Sequence, residues 1–214
     1  MNAGHFAERY GLLVIVALGE TVIAIGVGLT RAEITTSLGM TLVASFVAVA
    51  ALWWSYLDWV AAKVEARFRS LQGIPQGAFA RDTYTMLHLP LIGRIVPFSV
   101  ALEEIAAHPA DNLTSYGRWV MAAGIVLVLL AFVAAAYRIA KKVPVERFVA
   151  AGLVIGIALV GGGLAAQTVI LLVASALVAA LLVESVRCKR LNSEVYAGCT
   201  NRMDQSPASA LASR

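Results

Sequence analysis

Long apolar runs separated by short polar segments make up most of this chain. A helix rises about 1.5 Å per residue and the hydrocarbon core of a bilayer is about 30 Å thick, so an apolar run of about 20 residues predicts a membrane-spanning helix. We count six such runs, at about 10–29, 38–60, 82–103, 117–137, 146–162 and 166–186. Unbroken runs, rather than the short alternating segments of membrane β-barrels, predict an all-α fold, a polytopic transmembrane helical bundle.

Glycines mark one boundary and several possible helix contacts. The run Gly161–Gly163 predicts a turn between the last two spans, although a kink within one long helix also fits the pattern. Gly152 and Gly156, like Gly19 and Gly26, have spacings that suit close helix contact, and they equally suit the high glycine content of membrane helices. Residues 187–214 are polar, and we expect a disordered cytoplasmic tail there.

The distribution of basic residues predicts an orientation. With six spans, 14 Lys and Arg residues fall on the side of the two termini, Arg31 and Arg118 fall on the other side, and Arg94 lies inside a span. Because basic residues concentrate on the cytoplasmic side, both termini are predicted to be cytoplasmic. The N-terminus has no basic region before its apolar run, so we expect the first span to remain in the mature protein.

Composition agrees with a membrane protein and argues against other classes. The chain is 60% hydrophobic and 14% charged, whereas soluble domains are about 45–50% apolar and about 25% charged. Its net charge of +4 forms no basic stripe interleaved with aromatic residues, so nucleic-acid binding is not predicted. Cys188 and Cys199 follow the last span without a CxxC motif, as is typical of incidental reduced thiols.

Glu20 is the first candidate functional residue, because it lies about halfway along the first apolar run. A charge at the centre of a bilayer costs about 2.5–3.5 kcal/mol on insertion scales, so such a group is usually paired, shielded or protonated. A carboxyl that is removed from water tends to hold a proton and can exchange it, which suggests a proton or cation site. A structural ion pair between helices is the alternative.

The third span supplies candidate partners for Glu20. It carries His88 and Arg94, and Arg94 lies at a depth similar to that of Glu20 if both spans start on the same side. Arginine does not lose its proton and therefore needs an acidic partner or water. Pro90 and Pro97 flank Arg94 and leave backbone carbonyls free, as in the broken helices of transporters, although a simple kink also fits. We therefore predict an intramembrane polar site of Glu20, His88 and Arg94.

A second candidate group lies at the predicted cytoplasmic boundary. Its members are titratable or polar residues near the ends of the first three spans: His5, Glu8, Arg9, Asp58 and Tyr84. His5 and Glu8 share a helix face, as do Tyr84 and His88, because residues three or four apart are neighbours on a helix. These residues could form an ion-pair cluster, or they could simply be solvated boundary groups.

The sequence predicts neither an enzyme nor a cofactor or metal site. No nucleophile–base spacing, zinc signature, phosphate-binding loop or dinucleotide fingerprint is found in it. The candidate chemistry is therefore confined to ionisable groups in or near the membrane.

Three sequence blocks resemble the bacterial low temperature requirement A proteins. The first is the N-terminal pattern His5-Phe6-x-Glu8-Arg9-Tyr10-Gly11-Leu12-x-x-Ile15-x-x-Leu18-Gly19-Glu20, and the others are Trp53-Trp54-x-Tyr56-x-Asp58 and Tyr84-x-x-x-His88-x-Pro90. The resemblance spans about residues 5–186 and corresponds to the C-terminal half of the family pattern. It implies a multi-pass protein of the bacterial inner membrane and implies no particular reaction or transported species.

The sequence is compatible with two functions. One is a transporter or channel-like protein that uses Glu20 with His88 or Arg94; the other is a membrane scaffold or accessory subunit in which these charges hold helices together. Apart from the lipid bilayer, the expected partners are a second copy of the chain or a separately encoded N-terminal half, because the resemblance covers only part of the family pattern.

Overall fold

The computed structural model describes residues 3–56, 67–68, 70–71, 73–81, 88–140 and 144–204. All regular secondary structure within these ranges is helical, which confirms the predicted class. The elements are α1 (Ala3–Leu29), α2 (Thr36–Ser55), α3 (Gly73–Ala80), α4 (His88–Ala107), α5 (Ser115–Ala140), α6 (Val145–Val160), a 3-10 turn (Gly161–Gly163) and α7 (Ala166–Asp204).

Five of these helices contain stretches that are long and apolar enough to cross a membrane. The stretches are Gly11–Leu29, Thr36–Ser55, Ser115–Arg138, Val145–Gly163 and Ala166–Arg187. Every stretch of 18 residues within α4 contains Arg94, Glu103 and Glu104, so α4 is not among the five. The described part of the chain therefore has the character of a multi-pass membrane protein.

Each of the six predicted spans overlaps one helix of the described residues, and the exact bounds of the spans stay predictions. Residues 57–60 of the second predicted span and 82–87 of the third lie outside the described residues. The helix α7 continues to Asp204, past the end of its apolar stretch at Arg187, and the predicted disorder of residues 187–214 stays a prediction. No glycine or proline interrupts residues 187–197, so polar composition alone did not end the helix.

The last two helices form an antiparallel hairpin. The Gly161–Gly163 turn ends α6, and Arg147 near the start of α6 contacts Glu184 towards the far end of the apolar part of α7. A kinked single helix would place these two residues far apart. The glycine run is therefore a true turn between two spans.

The described short loops all lie at one end of the bundle, which we call the short-loop side: residues 30–35, 108–114 and 161–165. The Asp111 carbonyl accepts a hydrogen bond from the Ala166 backbone N–H at 2.8 Å, and the Pro109 carbonyl accepts one from the Gln167 N–H at 3.0 Å. At the same end, the Thr35 side chain accepts a hydrogen bond from the Leu38 N–H and caps α2.

The core lies around α4 and α5, where the large side chains of Phe98, Leu102, Ile105, Met121 and Ile125 are fully buried. Lipid tails are as apolar as these side chains, so close packing rather than removal of apolar surface from water holds such helices together.

Glycine contacts differ from both predicted pairs. A Cβ atom at Gly28 would lie 2.5 Å from the Glu103 carbonyl oxygen and 2.7 Å from the Ala106 Cβ, so α1 and α4 touch almost backbone to backbone. No atom lies within 4 Å of a Cβ built at Gly19, Gly26, Gly152 or Gly156. Close contact thus depends on Gly28, and the spaced glycine pairs face open space.

Candidate intramembrane acidic site

Glu20 lies in the middle of the membrane-spanning part of α1. It is nine residues before Leu29, which is about 14 Å along the helix axis. Its side chain is exposed and lies on the outer side of α1 with Val16 and Ile23, which are 73% and 60% exposed. The buried side of the helix instead carries Leu18, Thr21 and Ile25.

The sequence predicted that Glu20 faces the third span across the bundle. In the structure the Glu20 side chain is exposed, and the close contact of α1 with α4 is made at Gly28. Among the described residues, no hydrogen bond or ion pair of Glu20 is found.

The predicted partners lie on α4, the helix that packs against α1. His88 is the first residue of α4, and Arg94 is 13 residues before its end at Ala107, about 20 Å along the axis. Their side chains lie outside the described part of the structure, so their pairing with Glu20 stays a prediction. Pro97 is inside α4, as predicted for a proline-containing third span.

Only part of the predicted boundary cluster lies among the described residues. His5, Glu8 and Arg9 lie in the first turns of α1, and the Arg9 side chain is exposed. The side chains of His5 and Glu8, and Asp58 and Tyr84 altogether, lie outside the described residues. Their assembly into one cluster therefore stays a prediction.

The most developed ionic site was missed by the sequence reasoning. Arg147 and Glu184 form a two-pronged pair: Nε donates to Oε2 and Nη2 donates to Oε1, both at 3.2 Å. Arg147 is 2% exposed, and the Glu184 side chain is 13% exposed. The Arg147 guanidinium also lies 5.2 Å from the centre of the Phe132 ring, which adds a cation–π contact.

A second pair crosses the same hairpin. The Arg187 Nη1 donates to the Glu146 Oε1 at 2.5 Å, so neighbouring residues of α6 pair with residues three apart on α7. The available signal was a shared order of charges: an acid and then a base begin the fifth apolar run, and an acid and then a base end the sixth. In an antiparallel hairpin these positions come to the same depth, so the arrangement serves to hold two helices together.

The short-loop side carries a different polar group. Glu103 pairs with Arg31 at 3.0 Å, and Glu104 accepts a hydrogen bond from the Thr114 backbone N–H at 3.1 Å. His108 and Asp111 lie 3.6 Å apart beside a shallow cavity of about 200 Å³. In the described ranges, no group of three or more His, Cys, Asp or Glu residues could hold a metal ion.

Several hydroxyl groups are buried in the described helices. Ser99 donates to the Ile95 carbonyl at 3.0 Å, and Thr21 donates to the Leu18 carbonyl, so both are satisfied within their own helices. Thr41 and Ser45 of α2 are fully buried, and within the described structure their hydroxyl oxygens have no hydrogen-bond partner. Within the described structure, none of these hydroxyls forms a hydrogen bond with Glu20.

One family model matches most of the chain. The sequence model described as bacterial low temperature requirement A protein (LtrA) matches residues 1–183. The uncharacterized protein RA0937 of Rhizobium meliloti (strain 1021) is 30% identical over 109 residues, which is 51% of this chain and 26% of that protein. The match thus spans about a quarter of the relative's length. No solved structure matches the chain.

Proposed function

The chain belongs to the bacterial low temperature requirement A protein family, and we propose that it is a transporter or channel-like protein of the cytoplasmic membrane that exchanges a proton or cation at Glu20. The proposal includes six spans, with α4 as the third, and both termini in the cytoplasm. The short-loop side would then be extracytoplasmic. This agrees with its few basic residues, since the sequence assigned only Arg31 and Arg118 to that side.

The observation that carries the proposal is the position of Glu20. An acidic side chain lies near the middle of a membrane-spanning helix and is not neutralised by a described group of its own chain. The other acids whose side chains are described in these helices either pair with arginine or lie near helix ends. A carboxyl at this depth changes between a neutral and a charged form only when water or a cation reaches it, which is the chemistry of an exchange site.

A flux measurement tests this function. The protein is reconstituted in liposomes with an imposed pH or cation gradient, and the wild type is compared with Glu20→Gln. We expect the variant to lose most of the flux, because the amide cannot ionise. Glu33→Gln is the matched control, since Glu33 is an exposed acid in the loop after α1. Equal effects of the two substitutions, or no flux from the wild type, would contradict the proposal.

A second candidate is a membrane scaffold or accessory subunit without transport activity. It is supported by the two crossed ion pairs and the Gly28 contact, which hold described helices in fixed positions. A related proposal is that such a scaffold assembles with a second copy of the chain or with a separately encoded segment. Absent flux together with stable co-purification of such a segment would favour this candidate.

A further inference from the structure

A narrow groove runs between α6 and α7 on the outer side of their hairpin, with a volume of about 240 Å³. We call it the hairpin groove and define it by Val149 and Leu153 of α6 and Ala176, Ala179, Ala180 and Val183 of α7. The three alanines lie on one side of α7 because they are three or four positions apart, and their short side chains leave the space. Apart from Glu146 and Arg187, every residue that lines the groove is Ala, Val or Leu.

One end of the hairpin groove carries a positive charge. Arg187 and Glu146 form their ion pair there, and the Arg187 side chain is 60% exposed while that of Glu146 is 11% exposed. The guanidinium thus covers the carboxylate, and a cation is the outermost group at this end. The next basic residues of α7 are Lys189 and Arg190. This end is therefore suited to a ligand with an anionic group.

The length of the hairpin groove matches one leaflet of a bilayer. Its lining on α7 extends from Arg187 to Ala176, which is about 16 Å along the helix axis. Half of the hydrocarbon core is about 15 Å thick. Arg187 is also the last residue of the apolar stretch of α7, so it lies at the boundary where phospholipid headgroups begin.

We propose that the hairpin groove is a binding site for one anionic phospholipid, whose headgroup phosphate contacts Arg187 and whose acyl chain lies along the alanines of α7. A guanidinium has five N–H donors, so Arg187 can donate to a phosphate while it still pairs with Glu146. Basic positions between membrane helices are the kind of site that retains anionic lipid headgroups.

The shape of the hairpin groove favours a lipid over a helix of another polypeptide. A helix with its side chains is about 10–12 Å across, whereas a cavity of this volume and length admits a single extended chain. The proposal does not involve Glu20 and does not depend on transport. A protein that carries flux without retaining a lipid would contradict only the lipid site.

A second groove of the same chain provides an internal control. It lies between α1 and α2, has a volume of about 330 Å³ and is lined by apolar residues, among them Val22, Val43 and Phe46, with no charged residue at its walls. An acyl chain can enter both grooves, but only the hairpin groove offers a cation to the headgroup. A comparison of the two grooves therefore separates headgroup recognition from simple filling by lipid.

Photolabelling of the full chain in liposomes tests the proposal. The liposomes contain phosphatidylcholine and a small fraction of phosphatidylglycerol that carries a diazirine on one acyl chain, and mass spectrometry locates the label after irradiation. We expect at least several-fold more label at residues 149–153 and 176–183 than in the α1–α2 groove. With the same diazirine on phosphatidylcholine, the two grooves should be labelled to similar extents.

Three results would overturn the proposal. Equal labelling of both grooves by the anionic probe would mean that the headgroup is not recognised. Uniform labelling of all exposed apolar positions would indicate ordinary surrounding lipid only. Absence of label from the hairpin groove would mean that another part of the protein occupies it.

Substitution of the cation tests the headgroup contact. Arg187→Gln should reduce labelling of the hairpin groove by the anionic probe several-fold, whereas Arg187→Lys should retain most of it because the charge remains. Arg31→Gln is the matched control, since Arg31 is 61% exposed and paired with an acid at the short-loop side, and it should have no effect. Unchanged labelling in Arg187→Gln would contradict the proposed contact.

A bulky side chain in the hairpin groove tests the position of the acyl chain. Ala179→Phe should reduce labelling by both probes, because the ring takes the space of the chain, and the fold should persist because Ala179 is exposed. Ala123→Phe, at an exposed position of α5 outside the groove, is the control. An unfolding midpoint near that of the wild type verifies the fold of each variant. Equal labelling of the two variants would place the lipid outside the hairpin groove.

Discussion

Glu184 and Glu20 both lie within apolar runs, and the fold places them in opposite situations. Glu184 meets a buried arginine that approaches with two nitrogens, at the level where α6 begins. Glu20 lies deeper, on the outer side of α1, away from every described cation. The same residue type in the same kind of run thus forms an ion pair between helices in one place and has no partner among the described residues in the other.

The difference teaches that helix pairing, and not residue type, decides the surroundings of an acid in a membrane helix. The α6–α7 hairpin is closed by a three-residue turn, so the start of α6 necessarily lies beside the end of the apolar part of α7. In contrast, α1 meets α4 through long-range packing, and the Gly28 contact sets which side of α1 is covered. Substitutions that remove a partner or a close contact make this comparison testable.

The largest loss of stability is expected when Glu184 loses its arginine partner, so that it has no described partner, like Glu20. Arg147→Met leaves the Glu184 carboxylate with its buried partner removed, and breaking such a pair costs about 3–5 kcal/mol. Thermal unfolding of the purified protein in detergent should show a lower midpoint. Arg187→Met is the matched control and should cost less, because the Arg187 side chain is 60% exposed. The double variant Arg147→Met/Glu184→Leu should recover most of the loss; no recovery would mean that the pair is not the cause.

A smaller effect is expected from separating α1 from α4. Gly28→Ala places a Cβ 2.5 Å from the Glu103 carbonyl, so the two backbones must move apart, and overpacking of this kind costs about 1–3 kcal/mol. The same unfolding assay measures the loss. Gly152→Ala, at an open helical position, should be neutral or slightly stabilising. Equal destabilisation by the two substitutions would argue against the close α1–α4 contact.

The smallest effect is expected at the exposed pair on the short-loop side. Arg31 and Glu103 have side chains that are 61% and 32% exposed, and such pairs contribute less than about 1 kcal/mol. Arg31→Gln should lower the unfolding midpoint slightly in low salt, and the difference should vanish in high salt. A loss as large as that of Arg147→Met would show that exposure does not separate the two kinds of pair.

Prediction from sequence succeeded where the signal was local. Five of the six apolar runs coincide with helices that are long and apolar enough to cross a membrane, and the Gly161–Gly163 turn lies at the run of glycines. It was less successful at the sites. Arg147 was counted only as one of the 14 basic residues on the side of the termini, and no function was predicted for Glu184. Their ion pair was not foreseen because the two residues are 37 positions apart in the sequence. The Glu20 depth was readable from its place in the run, whereas its outward direction was not.

The amino-acid sequence by itself determined that this chain forms helices for a membrane and that one of them carries an acid near its middle, because run length and residue position along a helix are local quantities. Only the tertiary structure decided which side of each helix is covered. Rotation of a helix about its axis costs nothing within the helix and is set by contacts such as that of Gly28 with α4, so packing decides which side of α1 is exposed.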